Sequence, residues 1–457
     1  MTKEGDVLSP GGLVTNRVTS LTALGDGPAG AWQAGEYVPH VVAWNLTRRC
    51  NLECVHCYIS AGPSESAEDE LSTDECRRIT DEILSLNPNP MFILSGGEPL
   101  LREDLTDIAS HAATRGATVV VGTNGTLLTS EKIQVLMDAG VTGVAVSVES
   151  LDAKYHDRFR RGHGSLESTL AAVDRLGNHG LDFVVQTAIT KGNRRELPEL
   201  VAWAAAKGAV SFNAYFLVSA GRGATMSDLS PQEYEASLGE LVDLHLVYMG
   251  RMMVRAKCAP HFMRLVHERA PDSPLLNYAT RCPCGVQYCR VTPDGKLTAC
   301  PYMPVPAGDL REMNFADIWN SSDLFQELRR GTLGGKCGRC EYRVICGGCR
   351  ARAYGSSGDY LAEDSSCAYE PEEDRPLVES RVVSYGVAVE EKLPWSAEAQ
   401  ARIQRIPSFV RGVVVKRIED YAQREGHTEV TADLMLEVRR KMPVDFSKRL
   451  PFFSRDD

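Results

Sequence analysis

Between residues 39 and about 220, short apolar runs alternate with amphipathic stretches, and this alternation restricts the fold more than any other feature of the chain. The strand-like runs lie at 41–46, 91–95, 117–122, 142–148, 182–189 and 211–217. Helical patterns lie between them at 74–86, 103–115, 130–139, 165–179 and 196–207. Strands that alternate with helices form a parallel sheet joined by right-handed crossovers. Such units suit an α/β fold, a partial (β/α)6 barrel open on one side. In parallel α/β architectures the active site forms at the C-terminal ends of the strands.

The residues that carry chemistry gather at those ends. Arg49-Cys50-Asn51-Leu52-Glu53-Cys54-Val55-His56-Cys57-Tyr58 follows the first run. The spacing is C-x3-C-x2-C, with no fourth cysteine nearby. Three thiolates can hold three irons of a 4Fe–4S cube and leave the fourth iron open. An open iron can chelate the amino and carboxylate groups of S-adenosylmethionine and pass it an electron. Closed clusters and structural zinc sites use four ligands. Spacing alone leaves open a zinc site that borrows a distant fourth ligand. Gly96-Gly97-Glu98-Pro99, Thr123-Asn124-Gly125 and the pair Ser147 and Glu149 close the second, third and fourth runs.

This succession resembles the radical S-adenosylmethionine (radical SAM) superfamily. The resemblance implies that Cys50, Cys54 and Cys57 hold the catalytic 4Fe–4S cluster. It implies that Gly96, Gly97 and Glu98 bind the methionine amino group, and that Asn124, Ser147 and Glu149 contact the cofactor, the last two near the ribose hydroxyls. Many relatives carry aspartate where Glu149 stands. Arg161, after His156-Asp157, resembles the arginine that faces the methionine carboxylate.

A chain of 457 residues exceeds one typical core, so two to four domains are expected. A net charge of −11 excludes non-specific nucleic-acid binding, which needs a basic face. No apolar run reaches the roughly 20 residues of a membrane span. The N-terminus lacks the basic and apolar regions of a signal peptide. The 14 cysteines are spaced as metal ligands, so a reducing cytoplasm is expected. The expected divisions are a mobile arm at 1–38, the barrel at 39–245, a loop-rich cysteine domain at 246–375 and a small helical domain at 376–457.

The cysteine domain holds Cys282, Cys284, Cys289 and Cys300, then Cys337, Cys340, Cys346, Cys349 and Cys367. Cys337-x2-Cys340-x5-Cys346-x2-Cys349 is dense enough to mark metal ligation, by iron–sulfur clusters or by a double zinc ribbon. The region resembles the SPASM extension of radical SAM enzymes, through Gly295-x4-Cys300, the Cys337/Cys340/Cys346 series and Cys367. Many SPASM proteins have three residues, not two, before the position of Cys349. The resemblance implies two auxiliary 4Fe–4S clusters, one on Cys282, Cys289, Cys300 and Cys349, the other on Cys337, Cys340, Cys346 and Cys367. Cys284 is an alternative to Cys282. Cys258 is either a ligand or structural, and Cys76, on a helical pattern, reads as a buried thiol.

Residues 40–373 most resemble enzymes that remodel tetrapyrrole side chains, above all the heme synthases of the siroheme-dependent heme pathway. The segments that carry this are Val42-Ala43-Trp44-Asn45-Leu46-Thr47-Arg48-Arg49-Cys50, Lys257-Cys258-Ala259-Pro260-His261, Cys346-Gly347-Gly348-Cys349-Arg350-Ala351-Arg352-Ala353-Tyr354 and Gly358-Asp359-Tyr360-Leu361-Ala362-Glu363-Asp364. The resemblance implies oxidative decarboxylation of two propionates of iron-coproporphyrin III to vinyls, with a tetrapyrrole substrate and a reducing donor such as flavodoxin or ferredoxin. His261, Arg350 and Tyr354 are candidates for contact with heme iron or propionates. The tail has helical patterns near 397–405, 409–424 and 431–440. Through Ile406-Pro407-Ser408-Phe409-Val410-Arg411-Gly412 it resembles the small C-terminal domain of light-independent protochlorophyllide reductase. A SPASM peptide maturase would share every cluster ligand, but it usually carries a peptide-binding module before the barrel, where this chain has a short arm. A heme d1-type enzyme is a nearer alternative. A tetrapyrrole-binding scaffold without chemistry is a third reading, which the intact three-cysteine motif opposes.

Overall fold

The computed structural model describes residues 37–441, apart from 227–228, 278, 373, 383–390, 405 and 407 and the side chains of Phe409 and Lys441. All but the last two residues of the expected arm lie outside the described residues.

One sheet organises the protein. Its strands are β1 (Val41–Asn45), β2 (Met91–Ser95), β3 (Thr118–Thr123), β4 (Val141–Ser147), β5 (Asp182–Ile189), β6 (Ser211–Phe216), β7 (Met253–Lys257), β8 (Tyr288–Val291), β9 (Lys296–Cys300) and β10 (Met303–Asp309). Their spatial order is β10-β9-β8-β1-β2-β3-β4-β5-β6-β7. From β8 through β1 to β7 every pairing is parallel, and β9 and β10 are antiparallel additions. The six expected strands are all present. β7 and β8 were not expected, and through β8 the cysteine-rich segment joins the barrel sheet itself.

Alternation along the strands divides the sheet into two faces. Val42 and Trp44, Phe92 and Leu94, Val119 and Val121, Val144 and Val146 belong to one core with Ile79, Ile83, Ile108 and Leu136 of the surrounding helices. Each such side chain contributes about 1.5–3 kcal/mol through burial. The helix Thr73–Leu86 begins with a capping box between Ser72 and Glu75 and buries Cys76 completely. The opposite, concave face is mixed: Ala145 and Val184 are apolar, and Asn45, Ser147, Gln186, Asn213, Tyr215 and Arg290 are polar. Tyr288 of β8 lies within electrostatic reach of Tyr215 of β6, although β1 to β5 separate them in the sheet. The sheet is therefore curled into an incomplete barrel, with these side chains inside.

The C-terminal helices Ala397–Gln404, Ser408–Arg424 and Ala432–Lys441 have their own core, centred on Ala399, Ile418, Ala422, Val430 and Leu434. They attach at the N-terminal ends of β1 and β2. Ser408 Oγ meets His40 Nδ1 at 2.9 Å and accepts from Asn87 Nδ2 at 2.8 Å, and Arg411 donates to Asn89 Oδ1 at 2.7 Å. No helix among the described residues is long and apolar enough to cross a membrane.

Candidate active site and cysteine clusters

The loop after β1 is built against the loop after β2. Leu46 N donates to Ser95 O, Gly97 N to Thr47 O and Glu98 N to Arg49 O, at 2.8, 2.8 and 2.9 Å. Both glycines are required by this approach. A Cβ on Gly97 would lie 2.3 Å from Arg49 O, and one on Gly96, at φ +145°, 2.5 Å from Thr47 O. Glu98 is fully buried and accepts from Thr123 Oγ1, from the backbone N–H of Asn124 and from that of Leu100. It joins the ends of β2 and β3, and burial raises its carboxyl above the usual range.

Cys50, Cys54 and Cys57 form a small cluster with Leu52, Ile59 and Ala61, and no fourth cysteine belongs to it among the described residues. N–H donors approach all three sulfurs: Leu52 N and Asn124 Nδ2 to Cys50 Sγ at 3.4 and 3.9 Å, Arg160 Nη1 to Cys54 Sγ at 3.6 Å, and Ala61 N to Cys57 Sγ at 3.3 Å. Burial raises the Cys50 thiol to about 12 and raises the Cys57 thiol as well. A metal reverses that preference by deprotonating its thiol ligands. Three thiols with donors to sulfur and no fourth cysteine fit a 4Fe–4S cluster with one open iron. Among the described residues no three His, Cys, Asp or Glu side chains converge on a single-ion site.

The loop after β4 completes this edge. Ser147, the last residue of β4, is half-buried opposite Gln186. Glu149 is buried, accepts from Ala188 N and pairs with Arg160, and His56 Nε2 lies 3.9 Å from its Oε1. Burial raises the Glu149 carboxyl, with Arg160 opposing, and burial lowers His56. Arg161 does not join them. It caps the helix Ala153–Arg160 in the left-handed conformation, φ 51°, and turns out to Glu53 at 3.5 Å. Arg161 thus meets the cysteine loop on its exposed side, and Arg160 approaches Cys54 Sγ from the buried side.

The later cysteines form two groups. Cys337, Cys340, Cys346 and Cys367 line one cavity. A Cβ on Gly348, at φ +69°, would lie 2.9 Å from Cys337 Sγ, so the chain passes close beneath this sulfur. Asp364 N and Tyr342 N approach Cys337 and Cys340 Sγ at 3.4 Å each. The second group is Cys258, Cys282, Cys284, Cys300 and Cys349, which act on one another's ionisation. Cys289, expected among the ligands, is absent from it. Tyr288 and Arg290 of β8 face the barrel interior, so Cys289 between them points to the other face, where Arg329 is the charge acting on it. Cys258, which the sequence left open as ligand or structural, belongs to the group. It sits at φ 56°, and its carbonyl accepts from Arg352 Nη2 at 2.9 Å and Tyr234 OH at 3.3 Å. Backbone strain at a non-glycine residue marks a position that its surroundings over-determine.

Asp364 links the two groups. Its carboxylate accepts from Cys349 N at 2.7 Å and Arg352 Nη1 at 3.1 Å, and His261 Nε2 lies at 3.3 Å. Burial acts to raise this carboxyl, and Arg352 and His261 outweigh it and hold it far below the usual range. His261 thus faces Asp364. Arg350 donates to the carbonyls of Gly347, Gly348, Tyr360 and Ala362, which makes it a brace for the cysteine loop. Tyr354 packs against the main core. The spacing of motifs gave no signal for Arg160 beside Glu149 or for Arg352 paired with Asp364. A signal was available for Arg255, Lys257 and Arg290, cations two residues apart or on alternating strand positions, but only once those segments are known to be strands.

The radical SAM superfamily matches residues 44–204, the iron–sulfur cluster-binding SPASM domain matches 282–341, and the proto-chlorophyllide reductase 57 kD subunit matches 395–439. The chain is 39% identical to the AdoMet-dependent heme synthase of Methanosarcina barkeri over 343 residues, 73% of this chain and 97% of that one. It is 35% identical to the AdoMet-dependent heme synthase of Nitratidesulfovibrio vulgaris, over 74% of this chain and 94% of that one. Among solved structures, Streptococcus suis SuiB bound to S-adenosylmethionine matches with a TM-score of 0.60 at 14% identity, over 73% of this chain and 78% of that one, a likeness of fold.

Proposed function

Because this chain belongs to the radical SAM superfamily, in the family that includes the AdoMet-dependent heme synthases, we propose that it makes heme by oxidative decarboxylation of iron-coproporphyrin III. The observation that carries the reading is the group of three thiols, each approached by N–H donors and without a fourth cysteine, at the C-terminal ends of the parallel strands. The enzyme binds S-adenosylmethionine and 4Fe–4S clusters. Bound at Cys50, Cys54 and Cys57, the open-iron cluster supplies reductive cleavage of S-adenosylmethionine to a 5′-deoxyadenosyl radical.

The protein's own residues then act as follows. Gly96 and Gly97 let the β2 loop close onto the cysteine loop, beside which the cofactor's methionine end would lie, and Glu98 and Asn124 hold the β2 and β3 loops in register with it. Ser147 and Glu149 border the ribose, and Arg160 carries the positive charge there. Hydrogen abstraction from a propionate β-carbon, loss of carbon dioxide and departure of one electron leave a vinyl group. Cys337, Cys340, Cys346 and Cys367 would hold one auxiliary cluster and four of Cys258, Cys282, Cys284, Cys300 and Cys349 the other, and such a closed cluster would supply an acceptor for that electron. On this reading residues 39–245 carry the radical chemistry, 246–375 the auxiliary clusters, and 376–457 a helical unit. The reductant is a low-potential protein such as flavodoxin or ferredoxin, and the compartment is the cytoplasm.

Anaerobic incubation of the reconstituted enzyme with iron-coproporphyrin III, S-adenosylmethionine and dithionite tests the reading. Each reacted propionate should lose one carbon dioxide and two hydrogen atoms. An enzyme that cleaves S-adenosylmethionine and alters no porphyrin contradicts it.

A further inference from the structure

The concave face of the sheet carries cations where a barrel interior is usually filled by apolar side chains. Asn213 and Tyr215 of β6 stand in register with Arg255 and Lys257 of β7. Asn213 Oδ1 accepts from Arg255 Nε at 2.9 Å. Across the opening, Arg290 of β8 donates to Asn45 Oδ1, and its guanidinium lies 5.7 Å from the ring centre of Tyr58. Tyr58 in turn packs on Tyr302 at 5.1 Å.

These groups surround an enclosed space. Tyr58, Tyr215, Lys257, Tyr288 and Tyr302 each keep part of their surface open. Yet the loss of bulk water is the main influence on Tyr215 and raises its hydroxyl well above the usual range. Side chains that are open and still remote from bulk water line an interior chamber. The chamber lies between the two chemical centres, because Tyr58 directly follows Cys57, Tyr302 stands two residues after Cys300, and the two rings pack together.

Two of its cations meet no carboxylate. Among the described residues neither Lys257 nor Arg290 forms an ion pair with Asp or Glu, and Arg290 donates only to neutral oxygens, Asn45 Oδ1 and Pro301 O. Cations withdrawn from water are costly unless an anion meets them. Carboxylates on an aromatic ring system satisfy both features at once, the acids on Arg and Lys and the ring on tyrosine faces.

We propose that this chamber binds an aromatic polycarboxylate substrate, with Lys257 and Arg290 anchoring carboxylates on opposite walls and Tyr58, Tyr215 and Tyr302 contacting the ring system. The anchors fix which side chains of the substrate are held and which are presented between the cysteine loop and the auxiliary thiols. This proposal rests on the tetrapyrrole reading above and assigns its specificity to named residues.

The test is anaerobic titration of the iron-loaded protein with iron-coproporphyrin III and with its tetramethyl ester, followed by Soret absorbance. The free acid should bind and the ester should bind at least about ten-fold more weakly, since charged hydrogen bonds are lost. Lys257→Met and Arg290→Met should each weaken binding of the acid by about ten-fold or more, and Lys257→Arg should restore it to within a few-fold. The two Met variants are assessed independently, with iron content per chain reporting on folding, so that one that loses iron leaves the other to decide. Wild-type affinity for the acid in an iron-replete Met variant overturns the chamber and leaves the proposed reaction standing. A wild-type protein that binds no iron porphyrin overturns the tetrapyrrole reading itself.

Discussion

Nη1 of Arg160 lies 3.6 Å from Sγ of Cys54, and Nη2 of the same guanidinium pairs with the buried carboxylate of Glu149. One cation thus serves both a cluster sulfur and a carboxylate, with Arg160 and Glu149 each almost fully enclosed. Removing it leaves an anion buried without a partner. Arg160→Met should therefore destabilise the protein by roughly 3–5 kcal/mol, and the double variant with Glu149→Gln should be less unstable than the sum of the two. Denaturant unfolding of the iron-loaded protein, with iron counted per chain, checks this. Equal stability of Arg160→Met and wild type would remove Arg160 from the account.

The seam between barrel and tail should respond to pH. Burial, and then the charge of Arg411, lowers His40 from 6.5 to about 4. Its folded-state value is thus below its unfolded value, so the unfolded chain binds more protons between them. The His40 contribution is fully present above pH 6.5 and is lost as pH falls toward 4, by about 3 kcal/mol in all. His40→Asn should flatten this part of the stability profile. Parallel profiles for the two proteins between pH 6.5 and 4 would show that His40 stays neutral in neither state or titrates alike in both.

Iron content distinguishes the cysteines. One open and two closed sets should hold about twelve irons. Cys289→Ser should retain them all, because that thiol faces Arg329 on the outer side of β8. Cys340→Ser should lose about four. Loss of a cluster from Cys289→Ser would return Cys289 to the ligand set.

The tail meets the barrel at His40, Asn87 and Asn89, which precede β1 and β2, whereas Cys50 and Gly96 follow those strands. A strand of this length separates its ends by roughly 15 Å. The described tail helices thus sit at the edge away from the cysteine loop. A chain ending at residue 391 should keep its affinity for iron-coproporphyrin III within about three-fold while unfolding more readily. A large loss of porphyrin affinity would show that the tail reaches the substrate.

The strands β1 to β6 were legible because burial on the helix-facing side gives each a dense apolar run, as in Val41-Val42-Ala43-Trp44 and Val119-Val120-Val121. β7 was not legible, since Arg255 and Lys257 alternate with Val254 and Ala256 in a strand whose inner face is charged. The cysteine loop was legible because its ligands are close in sequence. The position of Cys289 apart from the other thiols was not legible, because spacing does not say which face of a strand a thiol occupies. The motif pointed to Arg161 and gave no sign of Arg160, because the left-handed cap that ends the helix at residue 160 depends on tertiary contacts. Asp364 and Arg352 meet across 12 residues and two loops, a relationship that only the folded cysteine domain creates.

The central claim is tested most directly by the mass of the pigment after anaerobic turnover with iron-coproporphyrin III, S-adenosylmethionine and reductant. The account predicts a species lighter by one carbon dioxide and two hydrogen atoms for each of two propionates, formed alongside 5′-deoxyadenosine and absent with Cys54→Ala. Unchanged porphyrin mass alongside sustained 5′-deoxyadenosine formation would contradict it.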